Sequence, residues 1–189
     1  MTEPHYQKEF HSVDFTSTKV AGEYEDCQFV NCNFQTVDLK QIVFDSCTFS
    51  DCDFHSAKTL LTAFRDVAFY QCRLEGIQFN SCNTFRLSMR FESCSLKYSS
   101  FYQLNMNQTQ FISCELGDVD FEETLLSRCL FDNCSLENSI FLNSDLSLAD
   151  ISTSRLFSIS PEKNKIEGLK VSRHDLSGLL TQYKLDIIS

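Results

Sequence analysis

Residues 110–141 read QFISCELGDVDFEETLLSRCLFDNCSLENSIF, and from Phe111 onward every fifth residue is large and apolar: Phe111, Leu116, Phe121, Leu126, Phe131, Leu136 and Phe141. An α-helix turns once in about 3.6 residues, so a five-residue period would carry these side chains around its whole circumference. The residue two before each is smaller: Thr109, Cys114, Val119, Thr124, Cys129, Cys134 and Ser139. Two inward residues separated by one polar residue share a direction only in extended backbone. The next two residues are mostly polar and break the alternation, which requires a turn. Each unit is therefore a very short strand followed by a β-turn.

The same frame runs outward from this stretch. Ahead of it stand Phe91, Leu96, Phe101 and Met106, and beyond it Leu146, Ile151 and Leu156. After a two-residue slip near 80–90, the frame continues back from Thr84 and Phe79 to Tyr24, with Thr59 as the other weak centre. All ten cysteines occupy the position two before a centre, and their commonest separation is 20 residues. Like stacks on like in a solenoid, so four units close one coil. The expected fold is an all-β solenoid, a quadrilateral β-helix of about seven coils. At about 4.8 Å per coil it is a rod roughly 30–35 Å long. Phe91, Phe111 and Phe131 should stack on one face, and Phe101, Phe121 and Phe141 on the opposite one. Phe10, Phe15 and Val20 suggest one further coil, one residue out of frame. The expected division is 1–23 as an irregular first coil, 24–156 as the regular β-helix, and 157–189 as a C-terminal cap. Loops are expected at 55–63 and 80–90, where the pattern is weakest.

The 189 residues carry a formal net charge of −10, and the acid is concentrated: residues 91–156 hold ten carboxylates against three cations. In the repeat frame Glu115, Asp118, Asp120, Glu122 and Glu123 all point outward, as do Asp132 and Glu137. Such a surface repels phosphate, so direct nucleic-acid binding is not expected, and a cationic partner surface is its complement. The bland alternative is that acid on a solenoid's outside keeps it soluble. Outward apolar residues, Tyr70, Tyr102, Ile112 and Leu142, are candidates for a different contact.

The opening MTEPHYQKEF lacks the basic and apolar regions of a signal peptide, and no stretch has the roughly 20 apolar residues of a membrane span. A reducing cytoplasm is the expected compartment, with the cysteines as free thiols. They form no CxxC, and on an inner face crowded by Phe they serve as small hydrophobes. His5, His11, His55 and His174 are scattered, and no phosphate loop or nucleophile motif is present. No catalytic residue, cofactor or metal is expected, and the chain reads as a non-enzyme.

The units DCQFV, NCNFQ, ESCSL, ISCEL and DNCSL resemble the pentapeptide-repeat proteins over about residues 24–156. The resemblance implies a right-handed β-helix. The dense Cys-x-Phe usage, the size and the acidity are most similar to one branch: the Qnr and MfpA types and the immunity proteins of microcin B and albicidin producers. That branch implies a dimeric DNA mimic, whose partner is DNA gyrase or topoisomerase IV and which protects it from a quinolone or a peptide toxin. The alternative is a general interaction scaffold with an unrelated partner.

Past Pro161, Ser172 is placed as a helix N-cap with Asp175 three residues on, and Leu176, Leu179, Leu180 and Tyr183 recur at helical spacing. This apolar face can cover the open end of the solenoid, and can also form a two-fold homodimer contact.

Overall fold

The computed structural model describes residues 4–183 and 185–186. Its strands stack in parallel, one coil upon the next. Strands Glu9–His11, Gln28–Val30, Thr48–Ser50, Val67–Tyr70, Met89–Glu92, Gln110–Ile112 and Leu130–Asp132 form a seven-stranded sheet. His5–Tyr6, Glu23–Glu25, Val43–Asp45 and Ala63–Arg65 form a four-stranded sheet on a neighbouring face. The other two faces are held by single bridges such as Ser95↔Glu115 and Ser100↔Asp120. The four faces are named here by one coil of centres, Phe111, Leu116, Phe121 and Leu126.

The register follows from what fills the interior. Phe10, Phe29, Phe49, Phe69, Phe91, Phe111 and Phe131 stack in one column with ring centroids 4.6–5.4 Å apart. Phe79, Phe101, Phe121 and Phe141 stack opposite, at 4.8–5.3 Å. Across the axis the columns meet edge to face, as in Phe111–Phe121 at 6.0 Å. Each such pair adds about 0.5–1.5 kcal/mol beyond area burial, so sliding any coil by one residue would forfeit several at once. The first coil does step by 19 rather than 20 residues, pairing His5 with Tyr24 and Phe10 with Phe29.

The turns answer how a chain with five glycines folds back so often. The carbonyl of a centre accepts the N–H three residues on, as in Val37 to Phe34 at 3.1 Å and Leu104 to Phe101 at 3.0 Å. The second turn residue lies in the left-handed region in almost every unit, for example Thr36 at φ 57°, Asp118 at 55° and Asn138 at 57°. Asn, Asp, Ser and Gln hold most of these positions; the short polar side chains of Asn and Asp tolerate this conformation best.

Several expectations are corrected. No loop leaves the prism at 55–63: Ala57, Thr59 and Thr62 are buried in frame, and the Thr59 hydroxyl donates to the Gln78 carbonyl at 2.8 Å. A hydroxyl that finds an acceptor can sit in the wall without cost to the ladder. The slip near 80–90 is a bulge. Ala63 bridges Asn83 after 20 residues, whereas Val67 pairs with Met89 after 22, so two extra residues lie between Asn83 and Met89. Thr84 is consequently exposed rather than central, and Phe85 projects outward with the Arg65 guanidinium 5.7 Å from its ring centre.

At the other end Leu156 turns outward at φ 63° and Phe157 is buried instead. The ladder continues past Leu156 and past Pro161, through bridges Asp145↔Lys165 and Asp150↔Lys170. The cap is two 3-10 segments, Arg173–Leu179 and Thr181–Tyr183, and the Ser172 hydroxyl accepts from His174 N as its N-cap. Gly178 packs so closely on Phe157 that a Cβ there would lie 2.6 Å from the Phe157 carbonyl oxygen.

Candidate protein-interaction face

Beneath the Leu116 face, Cys32, Cys52, Cys72, Cys94, Cys114 and Cys134 form one continuous column of buried, free thiols. Most donate to a carbonyl of the coil below, as Cys52 to Phe29 at 3.4 Å and Cys134 to Phe111 at 3.3 Å. Elsewhere burial pushes the Cys47, Cys82 and Cys129 thiols up to about 12, so they stay protonated at neutral pH. These three, protonated and enclosed, are neither nucleophiles nor ligands. Among the described residues no group of His, Cys, Asp and Glu could hold a metal ion.

The outside differs from face to face. On the Leu116 face, charge is neutralised locally. Arg73 pairs with Glu75 at 2.8 Å and Asp53 at 3.6 Å, Gln35 donates to Asp53 at 2.6 Å, and Ser95 donates to Glu75 at 2.9 Å. Glu115 is neutralised on the same face, because its carboxylate meets Lys97 Nζ at 2.5 Å. Asp132 lies at the corner between the Phe111 and Leu116 faces, where it accepts the Thr153 hydroxyl at 2.8 Å. The seven outward acids therefore do not form one cluster.

Five of them gather around the Phe121 face. Asp120 stands in its outward column, bridged to Ser100 on one side and Ile140 on the other. Asp118 and Glu137 share one flanking corner, joined by Asp118 N to Glu137 O at 2.8 Å. Glu122 and Glu123 occupy the opposite corner. Among the described residues none of the five forms an ion pair. Two of them have neutral partners: Ser100 donates to Asp120 at 3.1 Å, Gln103 to Glu123 at 2.7 Å, and Glu122 N to Asp120 at 2.9 Å, while Glu137 lines a cleft with Lys97 and Arg155. Their field registers on Tyr102, whose phenol is raised by burial and further by Glu123, Glu122 and Asp120. Tyr98, 64% exposed, and Ile140, 50% exposed, border this patch. Neither was singled out from sequence, although both occupy outward positions of the repeat frame. Of the outward apolar candidates, Tyr102 and Leu142 share the Phe121–Leu126 corner, while Tyr70 and Ile112 lie at the Phe111–Leu116 corner, and all four are half-buried.

The four cap residues do not make the single helical face their spacing predicted. Leu179 packs on the core and Leu180 is half-buried, while Leu176 and Tyr183 are exposed, the latter donating its hydroxyl to Glu162 at 2.7 Å. The 3-10 winding and the break at Leu180 rotate them apart. No described helix is long and apolar enough to cross a membrane.

A parallel four-sided coil with five-residue units defines a class, and the sequence comparison agrees with the structure: the profile of the pentapeptide repeat region matches residues 22–90 and 87–160. The chain belongs to the pentapeptide-repeat family. Its fold is similar to a trypsin-treated form of QnrB1, described as a plasmid-mediated fluoroquinolone resistance protein, with a TM-score of 0.77 and 16% identity over 98% of this chain and 90% of that one. A second QnrB1 form matches at 0.65 and 15% identity, covering 98% and 100% of the two chains. HetL, involved in heterocyst differentiation regulation in the cyanobacterium Nostoc sp. strain PCC 7120, matches at 0.57 and 11% identity over 90% and 87%. A comparison with curated protein sequences finds no match.

Proposed function

We propose that this chain binds a type II topoisomerase, DNA gyrase or topoisomerase IV, as a mimic of duplex DNA and protects it from a quinolone or a peptide toxin. The observation that carries the reading is the set of five carboxylates, Asp118, Asp120, Glu122, Glu123 and Glu137, that form no ion pair among the described residues and stand around one face of a rigid rod. A basic DNA-binding saddle is the complement of such a surface, and its attraction should fall with salt. The fold shared with QnrB1, a fluoroquinolone resistance protein, supports the same direction. Two copies joined through the C-terminal segment would present a rod on the order of 70 Å long, about 20 base pairs. A partner of this kind would place the protein in the cytoplasm.

The test is a gyrase supercoiling assay with and without ciprofloxacin across a range of protein concentrations. Protection at low concentration and inhibition at high concentration is the expected result. The quadruple variant Asp118→Asn, Asp120→Asn, Glu122→Gln, Glu123→Gln should lose it, and an unchanged response would remove the face from the mechanism. A second reading, a scaffold for an unrelated partner, is favoured by exposed Tyr98 and Ile140, which a phosphate mimic does not need. HetL has the same fold with a different described role, so the fold alone does not choose between the two.

A further inference from the structure

Each rung of this solenoid uses two backbone hydrogen bonds around one outward residue. At Leu125↔Asp145, Asp145 N donates to Thr124 O at 3.0 Å and Leu126 N donates to Asp145 O at 2.8 Å. At Asp120↔Ile140 the pair is Ile140 N to Val119 O and Phe121 N to Ile140 O, both 2.9 Å. Among the described residues no rung lies over Ile140. The Ser139 carbonyl and the Phe141 N–H find no backbone partner among the described residues.

The cause is visible one coil on. Ser160, 20 residues after Ile140, has left the column, because the chain there is drawn onto the cap: Ile159 N donates to Gly178 O at 2.9 Å and Ser158 meets Thr181 at 2.6 Å. Between the displaced chain and the edge lies an open groove of about 550 Å³, lined by Asn138, Ile140, Leu142, Ser158, Thr181 and Gln182. That volume falls within the range of ligand-binding clefts, about 300–1,000 Å³. Among the described residues Lys163 is the one cation lining it. One rung below stand Asp120, Glu122 and Glu123.

We propose that Ser139–Phe141 is a docking edge for an extended, basic segment of a partner protein, which adds one parallel rung beside Ile140. The incoming residue would donate its N–H to the Ser139 carbonyl and accept the Phe141 N–H, as strand addition does at other exposed edges. Its side chain would lie against Ile140, and flanking lysines or arginines would reach Asp120, Glu122 and Glu123. A second copy is a poor occupant, since a two-fold contact here would press the same carboxylates against each other. The inference goes beyond the topoisomerase reading and shares with it only the acidity of this face.

The experiment uses isotope-labelled full-length protein and amide hydrogen exchange by NMR, with a capped Lys-Val-Lys-Val-Lys peptide as probe. In the free protein the Phe141 amide should exchange at least about tenfold faster than those of Phe121 and Leu126, which are bonded. The peptide should shift the Phe141 resonance and slow its exchange. N-methylation of both valines, or replacement of the lysines by glutamates, should abolish this, and Asp120→Asn with Glu122→Gln and Glu123→Gln should weaken it several-fold. Protection of Phe141 in free protein at all concentrations would mean the chain closes its own edge and would overturn the proposal. Protection that grows with protein concentration would assign the edge to a second copy instead. No binding, or equal binding of the N-methylated peptide, would also overturn it. Failure of the gyrase assay would leave these outcomes unaffected.

Discussion

Leu61 sits at the second position of a turn with φ 58°, about half exposed, and its N–H reaches Ser81 O at 2.8 Å. A residue with a Cβ in this conformation bears roughly 1–2 kcal/mol of strain. Glycine removes that strain, but its freer unfolded chain costs back about 0.5–1 kcal/mol. Leu61→Gly should therefore stabilise the protein by about 0.5–1 kcal/mol, and Leu61→Asn should act in the same direction. Gly76 supplies the converse. It lies at φ 73°, and a Cβ there would meet only Ser56 Oγ at 3.7 Å, so Gly76→Ala introduces strain without a clash. It should destabilise by about 1 kcal/mol. For a chain of this size each kcal/mol moves Tm by about 2–4 °C. Thermal unfolding followed by circular dichroism reads both signs. A lowered Tm for Leu61→Gly, or an unchanged one for Gly76→Ala, would refute the argument that the turns hold strain in their non-glycine residues.

Burial raises the Cys47, Cys82 and Cys129 thiols to about 12, above their value in the unfolded chain. Their contribution to stability is thus complete below pH about 9 and lost as pH rises from there towards 12, by about 1.4 kcal/mol per pH unit for each thiol. Urea midpoints measured at pH 8 and pH 10 should show this decline, and equal midpoints would contradict it. Gly178→Val should drive the cap off Phe157, lowering Tm by several degrees through about 1–3 kcal/mol of overpacking and exposing Phe157 to quenchers or proteases. A variant as stable as the parent would mean the cap does not need that contact. Phe111→Ala, which removes a fully buried ring stacked between Phe91 and Phe131, should cost about 3–5 kcal/mol. Denaturant unfolding checks the value, and a cost under 1 kcal/mol would show that the column repacks.

The coil was legible in the sequence because its core is made by a strict local rule. A centre every five residues and a small residue two before it leave one way to bury Phe29 to Phe141, and the 20-residue cysteine spacing states the number of sides. The two-residue slip was legible for the same reason, as a break in a count. The HSAKTLLTA stretch misled because Thr59 looks polar in one dimension; only its partner, the Gln78 carbonyl a coil away, makes it a core residue. Which carboxylates stand together was likewise not local. Glu115 and Asp120 are five residues apart, yet one turns a corner onto Lys97 and the other faces solvent beside Ser100 and Ile140. The open rung over Ile140 is further still from the sequence, since it exists because Gly178 accepts a hydrogen bond from Ile159 and draws the next coil aside. Periodicity determines what points inward, because burial is decided within each five-residue unit. The tertiary structure alone decides which outward groups become neighbours and which backbone edges stay open, because those depend on contacts a whole coil apart.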